Sequence, residues 1–261
     1  MRWRVTMCAA CAVLGGAAGE AAAQALAQRV TAVGTGSVTF SYPARESVEI
    51  CERGVSIGGR RTIWRGSSRG DLARRCATGN VAVELRIDAG RVSDLDVLDL
   101  GEVVDPAASD LGAVSAGDAA GYFLELARSA GASGDAREDA VLAAALADVE
   151  DMWRELLAIA HDPSLPQDVR ESSLFWLGQE AGDAVTDGIA AVAADEREEQ
   201  EVREAAIFAL SQRPGDVGVE ALMEIARTAR EAETRRSAMF WLAQSGDARV
   251  VAFFEEILLG R

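Results

Sequence analysis

The 261-residue sequence predicts an α+β fold, a small disulfide-linked antiparallel β module followed by an all-α array of helical hairpins. Three observations predict it. One eleven-residue stretch returns at offsets of 33 and 32 residues, residues 35–100 alternate in polarity, and two cysteines remain once an N-terminal leader is set aside.

The repeated stretch is Val169-Arg170-Glu171-Ser172-Ser173-Leu174-Phe175-Trp176-Leu177-Gly178-Gln179. It recurs from Val202-Arg203-Glu204 through Phe208-Ala209-Leu210 to Gln212, and again from Thr234-Arg235-Arg236 through Phe240-Trp241-Leu242 to Gln244. A weaker copy begins at Ala136-Arg137-Glu138. Fixed self-similarity at this period is the signature of stacked repeats. Within a copy, Val202, Ala206, Ala209 and Leu210 form one helical stripe. A Gly-Asp break follows at Gly182-Asp183, Gly215-Asp216 and Gly246-Asp247, then a second apolar run over 185–193, 219–226 and 250–259. One hairpin cannot cover its own apolar face, whereas successive copies cover one another.

Val-Arg, small or apolar residues, Leu-Gly, a Gly-Asp turn and a second helix resemble the short HEAT repeat of the phycobilisome-lyase-like type, over roughly residues 136–259. The resemblance implies a HEAT-like α-solenoid whose second helices line a concave groove for a protein or peptide partner. It implies no lyase activity, and nothing in the chain marks a bilin site. Trp176 and Trp241 stand where the family usually has Ala, Thr234 replaces the Val, and the first copy lacks the Leu-Gly ending.

Taken in order, residues 1–27 read as a secretory signal peptide: Arg2 and Arg4, an apolar run from Val5 to Gly19, and the small-x-small site Ala23-Gln24-Ala25. The run is too short and too rich in Ala and Gly for a comfortable membrane span; an uncleaved anchor is the alternative. Cys8 and Cys11 lie inside it, so their CxxC spacing is neither a metal nor a redox site, and it fits no lipoprotein box. Cys51 and Cys76 remain. Export would oxidise them to one disulfide, worth roughly 3 to 4 kcal/mol in the chain-entropy account. The alternative is a pair of inert buried thiols.

Residues 30–104 form the expected β domain, with strands at 37–42, 47–51, 61–64, 81–87 and 91–97. Asp88-Ala89-Gly90 is a hairpin turn between the last two. Residues 101–117 read as a loop and domain boundary. The expected solenoid spans 115–261, opening with a helix through Tyr122 and Leu126 that caps its first edge.

Charge is divided along the chain. All 26 basic residues are Arg, which excludes Schiff-base lysine chemistry and a P-loop lysine. Residues 29–91 hold eleven Arg against six acids, while residues 92–261 hold thirteen against thirty-five. Arg60, Arg61, Arg65, Arg69, Arg74 and Arg75 make a candidate anion-facing loop for an anionic envelope component. A solvated loop is the plainer reading. Nucleic acid is not an expected partner, because the acidic half repels phosphates.

Candidate chemistry is sparse. The one histidine, His161, lies near a helix end beside Asp162, with no Gly-x-Ser-x-Gly elbow in the chain. It reads as a capping cation. Asp94, Asp96, Asp99, Glu102 and Asp105 lack the spacing of a calcium loop, and no zinc set or cofactor fingerprint is present. Arg137, Arg170, Arg203 and Arg235 recur with the repeat and read as ion pairs between neighbouring copies; Trp176 and Trp241 read as packing residues. The expectation is therefore an exported, non-enzymatic scaffold for protein–protein interaction, without cofactor or metal. The alternatives are a carboxylate-dependent hydrolase of envelope material and a structural envelope protein binding an anionic polymer through the Arg-rich loop.

Overall fold

The computed structural model describes residues 23–52, 54–57, 60–61, 75–179, 183–213 and 216–259, with the backbone alone at Arg60 and Arg61. Residues 1–22 of the expected signal peptide, Arg53, residues 62–74 and the break glycines Gly182 and Gly215 lie outside the described residues. The fold is mixed α+β. The chain divides into two compact units, Met1–Val149 and Glu150–Arg261.

The first unit holds two four-stranded sheets. Helix α1 (23–31) precedes them and buries Ala23, Leu26 and Val30, one helical stripe. Strands β1 (Gly36–Pro43), β6 (Asn80–Asp88), β7 (Arg91–Val97) and β8 (Ser109–Ala113) form one sheet in the order β7-β6-β1-β8. The expected alternation sets its buried face: Val38, Phe40 and Tyr42 on β1, and Val81, Val83, Leu85 and Ile87 on β6. A register shift opposite Arg86 and Ile87 lets Val92 and Leu95, three apart on β7, both reach the core. The second sheet runs β4-β3-β2-β5, from β2 (Val48–Cys51), β3 (Gly54–Ile57), β4 (Arg60–Arg61) and β5 (Cys76–Ala77). Cys51 and Cys76 sit opposite each other in the β2–β5 register and are joined as a disulfide.

Three features differ from the sequence expectation. Among the described residues the sheet region has eight strands rather than the five expected. The strand expected at 61–64 appears as β4, and its remainder lies outside the described residues. The stretch 101–117, read as loop, contains β8, which pairs parallel to β1. Ser-Asp-Leu-Gly-Ala has no apolar alternation because β8 is an edge strand with almost every residue exposed.

The β6–β7 hairpin closes through Ala89-Gly90, both with positive φ (50° and 76°), between the paired residues Asp88 and Arg91. This is the two-residue turn whose central positions favour Asn-Gly. Ala89 holds a left-handed conformation that costs a residue with a Cβ about 1–2 kcal/mol. Ala89→Asn is expected to stabilise the first unit by about 0.5–1 kcal/mol and Ala89→Val to destabilise it. Equilibrium denaturation of the two variants checks the opposite signs.

Helices α2 (Ala116–Arg128) and α3 (Gly134–Leu146) pack on each other, α2 also against β1 and α3 against β7, all within the first unit. Phe123 stands 5.7 Å from Phe40 and 5.5 Å from Tyr42, ring centre to ring centre. The Tyr42 hydroxyl donates to Ala143 O at 2.8 Å, and burial pushes the Tyr42 and Tyr122 phenols well above their ordinary range. Ser133 caps α3 by accepting from Ala136 N, while its hydroxyl donates to Ser93 O at 2.8 Å, tying the helix start to β7.

The second unit contains α4 (Met152–Ala160), α5 (Gln167–Gly178), α6 (Asp183–Ala194), α7 (Gln200–Ser211), α8 (Val217–Thr228), α9 (Ala232–Ser245) and α10 (Arg249–Leu259). Helices α5, α7 and α9 pack in succession, as do α4, α6 and α8. The closest hairpins are α4–α5, α6–α7 and α8–α9. They close across the loops at 161–166, 195–199 and 229–231, so the packing hairpin is offset from the unit legible in the sequence, which closes at Gly-Asp. At the last of these breaks Gly246 ends α9 at φ 69°, the left-handed stop that glycine adopts freely.

Candidate functional site

The recurring arginines are the most built feature of the helical half. Arg170 lies one turn into α5 and is 2 % exposed. Its Nε donates to Ala160 O, at the end of α4, at 3.0 Å. One terminal nitrogen pairs with the carboxylate of Glu198 in the α6–α7 loop, and the other lies 3.8 Å from Glu199. Arg203, also buried, repeats the device one copy later by pairing with Glu231 in the α8–α9 loop and donating to Glu198 O. Arg137 donates from Nε to Ala127 O at 3.0 Å, ten residues back, just as Arg170 does to Ala160. Arg235 donates to Ala229 O and Arg230 O at 2.8 and 2.6 Å. Arg137 and Arg170 thus bond carbonyls of the last turn of the preceding helix, where the dipole is negative, whereas Arg203 and Arg235 bond carbonyls of the loop before their own helix. Arg170 and Arg203 also reach a carboxylate in the following loop.

Beside Arg203 is a cavity of about 110 Å³, lined by Glu196, Thr228, Arg230, Glu231 and Thr234 among others. Arg203 Nε has no hydrogen-bond partner among the described residues. The cavity is polar and roomy enough for water.

The other expected site residues fall in separate places. Trp176 is buried at 3 % exposure, edge-on to Phe175 at 4.9 Å, whereas Trp241 is only partly buried and lies 5.0 Å from Phe208. Of the Arg-rich loop, Arg65, Arg69 and Arg74 lie outside the described residues, and Arg60 and Arg61 are backbone positions of β4. Arg75 is exposed and pairs with Glu52 at 2.8 Å. His161 is the C-cap of α4, with an exposed side chain. The acidic run after β6 is engaged within the fold. Asp94 pairs with Arg86 at 2.9 Å, Asp99 accepts from Gly54 N at 2.7 Å, Glu102 from Asp99 N at 2.8 Å and Asp105 from Ala107 N at 2.8 Å. Among the described residues no helix is long and apolar enough to cross a membrane, and no group of His, Cys, Asp and Glu is placed to hold a metal ion.

Sequence reading missed the glutamates that complete the arginine pairs and a row of rings at one repeat position, Phe175, Phe208 and Phe240. Both signals were present. Glu198 lies 28 residues after Arg170 and Glu231 lies 28 after Arg203.

At the start of α10, Asp247 accepts from Arg249 N at 2.8 Å and Arg249 Nε at 3.0 Å. The side-chain bond from Arg249 is the main reason its carboxyl falls from 3.8 to about 2. A depressed carboxyl stabilises the fold above its unfolded pKa, and that contribution is lost as pH falls from about 4 toward 2. Carboxyl NMR titration is expected to find a midpoint near 2 for Asp247, returning to the ordinary aspartate range in Arg249→Ala.

Compared with known proteins, the chain matches no family model and no curated sequence.

Proposed function

We propose that the protein is an exported, non-catalytic scaffold whose helical half is a HEAT-like solenoid that engages a protein or peptide. One observation carries the solenoid reading. The same residue in successive copies, Arg170 then Arg203, bonds a backbone carbonyl behind it (Ala160 O at the end of α4, Glu198 O in the α6–α7 loop) and the carboxylate of the next inter-helix loop. That is a nearest-neighbour device, repeated with the chain's own period, which a stacked array requires. Successive packing of α5, α7 and α9, and of α4, α6 and α8, supports the same reading. Export is supported by the leader pattern of residues 1–27 and by the Cys51–Cys76 disulfide, since such bonds persist in oxidising compartments. Two-layered arrays of this kind offer extended surfaces, which suit a polypeptide better than a small substrate.

The test is chemical crosslinking of the full chain in the exported fraction of its host, with the crosslinked positions mapped by mass spectrometry. A discrete polypeptide joined to residues 150–261 is the expected result. Crosslinks confined to 53–76 would favour the anionic-polymer reading, and turnover of envelope material by the purified chain would replace the scaffold by an enzyme.

A further inference from the structure

We infer that the ring-bearing face of α5, α7 and α9 docks a polypeptide segment that combines basic and apolar side chains. This rests on the scaffold reading and names the face and the partner chemistry. Phe175, Phe208 and Phe240 occupy one repeat position, 33 and 32 residues apart. The Phe175 and Phe208 rings are 6.4 Å apart and nearly parallel, Phe208 lies 5.0 Å from Trp241, and Trp241 lies 5.1 Å from Phe240. Four rings therefore form a continuous row across three helices. The row is not closed off: Phe240 is 55 % exposed, and Phe175, Phe208 and Trp241 are each partly exposed. Core packing does not require it, because Val169, Leu174 and Leu177 on α5 and Val202, Ile207 and Leu210 on α7 are already fully buried.

The charge beside the rings selects the occupant. One turn before Phe175 is Glu171, held by Gln167 Nε2 at 2.7 Å; one turn before Phe208 is Glu204, held by Gln200 Nε2 at 2.8 Å. The same Gln-Glu pair thus presents a fixed carboxylate one turn before Phe175 and before Phe208. In α9 the corresponding Arg236 pairs with Glu233. Residues 150–261 carry eleven Arg and twenty-three acids, a formal charge of −12. An acidic or anionic ligand is repelled, and a neutral one gains nothing from the carboxylates. A guanidinium or ammonium meets both a carboxylate and a ring face, and apolar side chains fill the spaces between rings. Three helices at their usual spacing span about 20 Å. That length matches about six residues of extended chain.

The test uses the full chain and two labelled twelve-residue probes, one alternating Arg with Leu and the other Glu with Leu, followed by fluorescence anisotropy. The Arg-Leu probe is expected to bind and the Glu-Leu probe not. Phe208→Ser with Phe240→Ser is expected to weaken binding about tenfold or more, as loss of a central aromatic anchor does. Phe240→Ser alone, at the most exposed ring, gives a smaller loss with an unchanged denaturation midpoint, which separates docking from folding. Glu171→Gln with Glu204→Gln is expected to weaken binding and flatten its salt dependence. Asp187→Asn with Glu224→Gln, the same charge change on exposed positions of α6 and α8, leaves affinity within about twofold if rings and carboxylates act together. Equal binding of both probes, indifference to the ring substitutions, or an equal loss in the α6–α8 variant overturns the inference. A natural partner crosslinked to residues 150–261 but indifferent to the rings also overturns it, and leaves the scaffold reading standing. The absence of any natural partner alongside ring-dependent probe binding overturns the scaffold reading instead.

Discussion

Arg170→Ala is expected to lower the unfolding free energy of the helical unit by about 4 kcal/mol, the range for breaking a buried ion pair from one side. The side chain is 2 % exposed, and its partner Glu198 retains only 11 % side-chain exposure. Truncation strands the Glu198 carboxylate where water reaches it poorly, and it removes the donor from Ala160 O at the end of α4. The neighbouring copy supplies an internal control. Arg203 is similarly buried, but its partner Glu231 keeps 43 % of its side-chain surface, so the orphaned carboxylate is hydrated. Arg203→Ala is therefore expected to cost about 2 kcal/mol, nearer the value of a single charged hydrogen bond. Arg170→Met keeps the apolar stem and should recover part of the loss, most of all when Glu198→Leu removes the stranded charge. Urea unfolding of the full chain distinguishes these outcomes. A cost below about 1 kcal/mol for Arg170→Ala, or one equal to that of Arg203→Ala, would show that the pair is not the fastening the geometry makes it.

The contrast between those two arginines marks where sequence reading stopped. Arg170 and Arg203 are equivalent in the repeat, and nothing in the two copies tells that one partner is enclosed and the other open. That difference comes from the loops, which vary while the helices recur. Alternation made β1, β6 and β7 legible because each presents one buried face. It could not reveal β8, an edge strand whose exposed residues carry no pattern. Helix α4 was obscured for a related reason: Met152 to Ala160 lacks the Val-Arg opening, although Met152, Leu156, Ile159 and Ala160 form a plain helical stripe. Helices α2 and α3 were legible as helices. Their neighbours were not, since an apolar stripe fits a sheet as well as another helix, and Phe123 packs on Phe40 and Tyr42. The ring row was not legible because a phenylalanine in a helical repeat reads as core whether or not a neighbour covers it. Trp176 and Trp241 occupy one repeat position but differ in burial: Trp176 is buried, whereas Trp241 joins Phe175, Phe208 and Phe240 in the partly exposed row.

Gly218→Ala should be comparably damaging, although alanine is the better helix former by about 1 kcal/mol. Gly218 sits in the first turn of α8, where that helix crosses the end of α7. A Cβ there would overlap Leu210 O and lie 3.0 Å from Arg213 Cβ. The first obstacle is backbone, so no rotamer change relieves it; either α8 slides or the last turn of α7 opens. The second obstacle spreads the damage. Arg213 is buried, its Nε donates to Thr186 on α6 at 3.1 Å, and a terminal nitrogen donates to Leu177 O on α5 at 3.2 Å. A displaced Arg213 therefore loosens three helices at once. The expected loss is about 3 kcal/mol, at the upper end for overpacking. Two other glycines set the scale. At Gly188 a Cβ would meet Leu157 Cδ2 at 2.6 Å, the far end of a flexible side chain, so Gly188→Ala should cost under about 1 kcal/mol. At Gly178 it would lie 3.0 Å from Ala209 O, close but not overlapping, and the cost should fall between the two. Urea midpoints ordered Gly188→Ala, Gly178→Ala, Gly218→Ala from mildest to worst would show that backbone approach limits how tightly neighbouring helices pack. A Gly218→Ala protein as stable as the parent would mean that α7 and α8 can separate without loss, and the tight crossing would then contribute nothing to the stability of the helical unit.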